Sequence, residues 1–211
     1  MTLPRLVLVG AGDLARELLG WMLQAEPDLP RQRQIGFIDD GVDRLRAGGL
    51  EPSFLGTITA FQPRSDDDLL LAIAAPATRC RVHGVLAARG ARFRGFCHPS
   101  ALVAATARIG AGVIVYPFAL IAEASCLEAH VIVNSFSSVG HDAEIGAFST
   151  LSAHVDITGH ASIGARVFFG SGARVLPGKR VGDGAVVGAA ATVLRNLPPG
   201  QTLYAPHSRR L

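Results

Sequence analysis

The sequence predicts an α/β half-domain with a parallel sheet, followed by a parallel β-helix of about five coils, and three observations carry that prediction. In the first half, short apolar runs alternate with segments of helical apolar spacing. In the second, an aliphatic or aromatic residue recurs every six residues from Val103 to Val193 with no step broken. The side chain four places after each of these is mostly small. A fixed short period marks a solenoid, whose repeats bury their apolar face only against their neighbours.

The chain opens with "RLVLVG" (5–10), a short apolar run closed by glycine, and "LARELLGWMLQA" then has the apolar spacing of a helix. A second strand, "QIGFIDD" (34–40), ends in two carboxylates. "DLLLAIAAP" (68–76) reads as a third strand, "ATRCRVHGVLAARG" as a helix closed by glycine, and "RFRGFCHPSA" as a last strand leading out. The expected units are a Rossmann-like domain over 1–97 and a β-helix with a C-terminal tail over 98–211. Between the first strand and helix, "GAGDLA" fits G-x-G-x-x-A at Gly10, Gly12 and Ala15. Such a turn brings backbone N–H groups to a phosphate at a helix N-terminus, and Asp39 is placed to accept a ribose hydroxyl. A tight turn without ligand fits the same residues equally well. Fewer than a hundred residues make half of a dinucleotide fold, so a mononucleotide suits this unit better than NAD.

The aliphatic positions of the second half are Val103, Ile109, Val115, Ile121, Leu127, Val133, Val139, Ile145, Leu151, Ile157, Ile163, Phe169, Val175, Val181, Val187 and Val193. Ala107, Ala119, Ser125, Ser137, Ala143, Ser149, Ala161, Ala173, Ala185 and Ala191 hold the fifth place, with Lys179 the main exception. Glycine often follows the aliphatic residue, as at Gly110, Gly140, Gly146, Gly164, Gly170, Gly182 and Gly188, where a turn is expected to need its conformational freedom. Six residues make one flat side, and three sides close a triangular coil after eighteen. Each buried aliphatic side chain contributes about 1.5 to 3 kcal/mol, enough for the column to hold the domain without helices. In this register His141 and Asp142 fall at a prism corner and not in the core. One coil on, Gly159 stands above His141 and His160 above Asp142.

Composition excludes several classes. With 49% hydrophobic and 18% charged residues the chain is globular, and a net charge of +3 with arginines scattered along its length offers no basic stripe for nucleic acid. Cys80, Cys97 and Cys126 have neither CxxC spacing nor an even count, which suits buried or free thiols in a reducing compartment. The N-terminal apolar run is too short for a signal peptide, and no stretch approaches the ~20 apolar residues of a membrane span. A protein of the cytoplasm, without membrane contact, is expected.

The hexapeptide run, the "HPSA" junction and the "GHD" at 140–142 together resemble the sialic-acid O-acetyltransferase and nucleotide-amino-sugar N-acetyltransferase family of left-handed β-helix acyltransferases. The left-handed winding is implied by this resemblance, since parallel crossovers are otherwise right-handed. The resemblance implies an acetyl-CoA cosubstrate with no metal, His141 as general base, Asp142 orienting it, and the backbone N–H of Gly159 binding the thioester oxygen. These roles suit the chemistry. Imidazole titrates near neutral pH, a carboxylate fixes its tautomer, and a glycine N–H donates without a side chain in the thioester's path. For coenzyme A the resemblance implies Ser171 and Ala189 amides along the pantetheine, with Pro206 and Arg209, beside Arg210, near the adenine nucleotide. Thr150 stands where relatives often have histidine, so the resemblance implies that a hydrogen bond to the thioester sulfur is either absent or made by its hydroxyl. Gly10, Gly12, Asp39, Asp40 and Arg79 fall on the acceptor-binding motifs. Asp13 and Leu14 depart from the family's Gly-His and put a negative charge beside the expected phosphate. His130, His154 and His160 read as solvated turn residues, save that His160 can reach Asp142.

N-acetylation of a nucleotide-linked amino sugar is the leading reading, with O-acetylation of a sialic-acid-like hydroxyl as the alternative. A zinc-dependent hydratase of the carbonic-anhydrase type is a further possibility for the same helix. It needs converging histidines, and no two of His130, His141, His154 and His160 are eighteen or thirty-six residues apart, although another subunit could supply ligands. A non-catalytic nucleotide-binding scaffold would leave His141, Asp142 and Gly159 unused. The resemblance also implies a homotrimer with sites in the grooves between prisms. Ile132, Phe136 and Phe168 support it as outward apolar residues that a monomer is expected to expose.

Overall fold

The computed structural model describes residues 3–41 and 44–205, and the chain divides into two compact units, Met1–His98 and Pro99–Leu211. In the first unit, β1 (Arg5–Val9), β2 (Gln34–Ile38), β3 (Ser53–Phe54) and β4 (Asp67–Leu71) form one sheet in the order β3-β2-β1-β4, every pair parallel. Helix α1 (Asp13–Ala25) follows β1, the single turn α2 (Leu29–Gln32) precedes β2, and α3 (Pro76–Ala87) follows β4. The two central strands read as unbroken apolar runs because both faces of a parallel sheet are covered. Val7, Val9, Ile38, Leu69 and Leu71 accordingly share one buried cluster with Val82 and Leu86 of α3.

Two sequence expectations change in this unit. The strand expected over "RFRGFCHPSA" shrinks to Phe96–Cys97, with one isolated bridge from Phe93 to Leu69. The two-residue strand β3 went unread because its residues are exposed and carry no apolar alternation. It exists because Gly36 of β2 lets Leu55 approach: a Cβ on Gly36 would come within 2.6 Å of the Leu55 Cδ1.

The second unit is a parallel solenoid of two-residue strands, one per hexad. One sheet stacks Arg108–Ile109, Cys126–Leu127, Glu144–Ile145, Ser162–Ile163 and Arg180–Val181. A second stacks Leu102–Val103, Leu120–Ile121, Ser138–Val139, Asp156–Ile157, Arg174–Val175 and Thr192–Val193. On the third side Ile114–Val115, Ile132–Val133, Thr150–Leu151, Phe168–Phe169, Val186–Val187 and Thr202–Leu203 pair in turn. The six-stranded sheet exceeds the five coils expected. Five steps of eighteen residues separate six strands, and the solenoid also continues past the hexads: Val186 pairs with Thr202 after only sixteen residues.

The hexad aliphatics from Val115 to Val193 are buried in a single cluster, together with Ala119, Ala143, Ala161, Ala173, Ala185 and Ala191. Only Val103 and Ile109, at the open first coil, are exposed. Two buried serines of the fifth place link successive coils, whereas Ser125 donates to the Ala122 carbonyl of its own coil. Ser149 Oγ donates to the Gly164 carbonyl at 2.9 Å and accepts from the Val167 N–H at 3.0 Å, and Ser137 repeats the pattern with Ser152 and Val155.

The corners depart from the sequence reading. In the hexads starting at Ile109 through Val187 the residues with positive φ occupy the fourth place, not the second, and ten of them are not glycine: Phe118, Ala124, His130, Phe136, Asp142, Phe148, His154, His160, Arg166 and Ala190. The second-place glycines have no positive φ. They are needed because the next coil crosses directly over them. A Cβ on Gly110, Gly140, Gly146 or Gly170 would lie 2.5 to 2.7 Å from its backbone.

Three exposures also change. His130, expected in solvent, is buried and stacked on Phe148 at 5.0 Å, filling the space above Gly112. Ile132, expected to be exposed, is buried together with its column neighbours Ile114 and Thr150, and Phe168 is half-buried. Side chains one strand spacing apart in a column shield one another, an effect hexad position alone does not reveal. Phe136 does remain 56% exposed.

Gly146→Ala should therefore cost about 2 to 3 kcal/mol through overpacking between coils. Gly184→Ala, whose Cβ would meet nothing within 4 Å but whose φ is +64°, should cost only about 1 kcal/mol. Denaturant unfolding of the two variants checks the order.

Candidate functional site

Asp142 takes the left-handed corner conformation, with φ of 56°, and His141 directly precedes it. The turn puts both side chains outside the coil. His141 Nδ1 lies 2.8 Å from Asp142 Oδ2, with the imidazole 60% and the carboxylate 48% exposed. The neutral ring therefore carries its proton on Nδ1, donates it to the carboxylate, and presents Nε2 as a lone pair.

The next coil supplies the rest of the corner, as the eighteen-residue register expected. A Cβ on Gly159 would sit 2.5 Å from His141 Nε2, so only glycine leaves room for this edge of the ring. His160, also left-handed with φ of 58°, donates its backbone N–H to the His141 carbonyl at 3.0 Å. Its ring meets that of His141 edge to face, with centroids 4.9 Å apart, and its Nδ1 is 4.0 Å from Asp142 Oδ2. The hydrogen bond from His141, aided by the nearby His160, holds the Asp142 carboxyl below the usual aspartate range. Asp142 is thus ionised wherever imidazole titrates. The arrangement is a polarised, accessible base beside a backbone with no side chain.

Ser171, Ala189 and Thr150 lie in other columns of the solenoid than His141 and Asp142. Ser171 and Ala189 are exposed and one coil apart in one column. The Ser171 carbonyl accepts the Ala190 N–H at 2.9 Å, and the Ala189 nitrogen crosses above Gly170. Thr150 is buried between Ile132 and Phe168 on the third sheet. Pro206, Arg209 and Arg210 lie outside the described residues.

In the α/β unit Gly10 has φ of +99° and lies against the backbone after β4: a Cβ there would be 3.0 Å from the Ala72 carbonyl oxygen. Gly12 precedes α1 in an extended conformation, and Ala15 is fully buried against the sheet. Asp39 ties the loop to β2, its Oδ2 accepting the Ala11 N–H at 2.9 Å and its Oδ1 the Gly41 N–H at 2.8 Å. Asp40 accepts the Thr59 N–H at 3.3 Å. Arg79 is buried, with burial pulling its guanidinium down to about 10, and Nη1 donates to the Ile73 and Ala74 carbonyls at 2.6 and 3.0 Å. It buttresses the segment that Gly10 rests on.

A cavity of about 450 Å³ opens at this loop, lined by Ala11, Gly12, Asp13, Arg16, Arg44, Leu45 and Arg46. Sequence reasoning missed its three arginines. The i,i+3 spacing of Asp13 and Arg16 was a legible signal: their 3.0 Å ion pair partly offsets the acid that looked misplaced beside a phosphate.

A parallel α/β half joined in one chain to a hexapeptide β-helix, with a His-Asp pair at a corner under a glycine of the next coil, defines the two-part β-helix acyltransferase class. No protein-family model matches the chain. Solved structures do. The acetyltransferase domain of PglB from Neisseria gonorrhoeae is 27% identical, with 96% of this chain and 97% of that domain covered and a TM-score of 0.84. That domain is also solved with acetyl coenzyme A. PerB from Caulobacter crescentus, in complex with CoA and GDP-perosamine, is 26% identical over 95% of this chain and 94% of its own, with a TM-score of 0.83. WeeI from Acinetobacter baumannii shares the fold at 23% identity, covering 95% of this chain and 96% of its own, with a TM-score of 0.84. The chain is thus similar over nearly its whole length to solved β-helix acetyltransferases.

An NMR pH titration should find Asp142 protonating below the usual aspartate range. In His141→Asn the midpoint should move up, because the largest stabiliser of the carboxylate is lost.

Proposed function

We propose that the protein transfers an acetyl group from acetyl-CoA to the amino group of a nucleotide-linked amino sugar. The observation that carries this reading is the His141–Asp142 pair at 2.8 Å with its Nε2 edge over Gly159. It is supported by the near-complete likeness to PglB's acetyltransferase domain and to PerB with its CoA and GDP-perosamine. His141 Nε2 removes the proton from the attacking amine, Asp142 stabilises the imidazolium that forms, and the Gly159 N–H meets the thioester oxygen as it gains charge. Residues 1–97 hold the acceptor, with the arginine-rimmed cavity beside Gly12 suited to its phosphates, and 98–211 hold the donor. Coenzyme A runs past Ser171 and Ala189 toward the C-terminal coils, along a prism wound left-handed. Among the described residues no helix is long and apolar enough to cross a membrane; a cytoplasmic location is part of this proposal.

Purified protein given acetyl-CoA and UDP-, GDP- and dTDP-linked amino sugars should release free thiol with at least one acceptor. His141→Ala should reduce turnover by ~100-fold or more. Turnover on a hydroxyl acceptor alone would replace N- by O-acetylation, and an unaffected His141→Ala would remove the base assignment.

We further propose a homotrimer whose neighbouring prism completes the groove at the His141 corner. The exposed apolar side chains Phe118, Leu120 and Phe136 are surface that association would cover. Light scattering should give about three times the 22.0 kDa chain mass. An active, stable monomer at micromolar concentration would rule this assembly out.

A further inference from the structure

The corner that carries His141 also brings together three side chains of the kind that bind transition metals. The ligand atoms of His141, Asp142 and His160 all lie within 4.8 Å of one another. We propose that this corner binds one zinc ion and that the bound ion switches off the base.

The geometry favours this in three ways. Two imidazoles and a carboxylate are a zinc donor set, and three protein ligands leave a fourth position for water. Tetrahedral zinc with bonds near 2.0 to 2.1 Å places its ligand atoms ~3.4 Å apart. The separations present, 2.8 Å from His141 Nδ1 to Asp142 Oδ2 and 4.0 Å from Asp142 Oδ2 to His160 Nδ1, bracket that value. The backbone beneath is fixed while the side chains stay open to an entering ion. Asp142 donates its N–H to the Glu123 carbonyl at 3.0 Å, and His160 donates its own to the His141 carbonyl at 3.0 Å, so coil-to-coil hydrogen bonds hold the three ligands together. The sequence argument against a metal compared histidines within one column. His141 and His160 sit in neighbouring columns, one residue out of step, and Asp142 bridges them.

The consequence for His141 follows from proton counting. A neutral imidazole has one proton and one lone pair. Without metal the proton is on Nδ1, bonded to Asp142, and Nε2 is the base. Zinc takes the lone pair of Nδ1, so the proton moves to Nε2. No proton is gained or lost, but the nitrogen that should accept one from the acceptor now carries one, and Asp142 is occupied by the metal. Zinc is therefore an inhibitor here and not a cofactor. The binding claim stands on the three side chains alone, whereas the inhibition claim rests on the transfer reaction proposed above.

The test uses the full chain and zinc chloride. Competition with a chromophoric chelator should show one zinc per chain, weakened at least tenfold in His160→Asn and in His141→Asn. Asparagine tolerates the left-handed corner, so His160→Asn should fold. Acetyl transfer, followed by loss of thioester absorbance because zinc binds free thiols, should fall over the same zinc range and return with EDTA. In His160→Asn the zinc midpoint, taken relative to that variant's own metal-free rate, should rise at least tenfold. Absence of bound zinc, or binding unchanged in both variants and so adventitious, overturns the site. An unchanged inhibition midpoint in His160→Asn overturns the switch. If no acceptor is acetylated, the binding titration still decides the site, and only the proposed function fails.

Discussion

Everything in the solenoid depends on how closely one coil lies over the next. Parallel two-residue strands pair at every side, with ladder bonds such as Ser138 N–H to the Val155 carbonyl at 2.8 Å and Gly140 N–H to the Ile157 carbonyl at 2.7 Å. At Gly110, Gly140, Gly146 and Gly170 that spacing brings the next coil's backbone within 2.5 to 2.7 Å of where a Cβ would lie, which fixes glycine at those second places. It also turns each corner through the left-handed region. Placing ten residues other than glycine there costs on the order of 1 to 2 kcal/mol each, offset by the ladder and by the buried aliphatic column.

The site is a product of the same spacing. The corner residue projects outward, so Asp142 and His160, eighteen residues apart, face the same solvent within reach of one carboxylate oxygen. His141, one residue earlier, lies under a glycine that the register places above it. Its Nε2 edge meets backbone and not a side chain, which suits both a thioester's approach and proton transfer. The same accessibility suits the proposed base and the proposed zinc ion, and these two proposed uses compete for the His141 ring.

In the α/β unit, charged groups that resemble ligand contacts in sequence are used internally. Asp39 accepts two backbone N–H groups and Arg79 is buried against two carbonyls, so both hold the glycine loop in shape. The charges left facing the cavity are those of Asp13, Arg16, Arg44 and Arg46. The charge at the loop thus comes from its rim and not from the motif that marks it.

The six-residue period alone determined the buried column from Val115 to Val193, the parallel coils, and the stacking of Gly159 on His141 and His160 on Asp142, because each follows from counting along a repeat. The alternation of apolar runs likewise determined the parallel α/β half. Tertiary structure alone decided the burial of His130, Ile132 and Arg79, the length of the solenoid beyond Val193, and the reason for the second-place glycines. It also decided that His141, Asp142 and His160 converge. These depend on which atoms of adjacent coils or loops meet at 3 to 5 Å. A linear pattern fixes the column a residue occupies, but not what fills the space between columns.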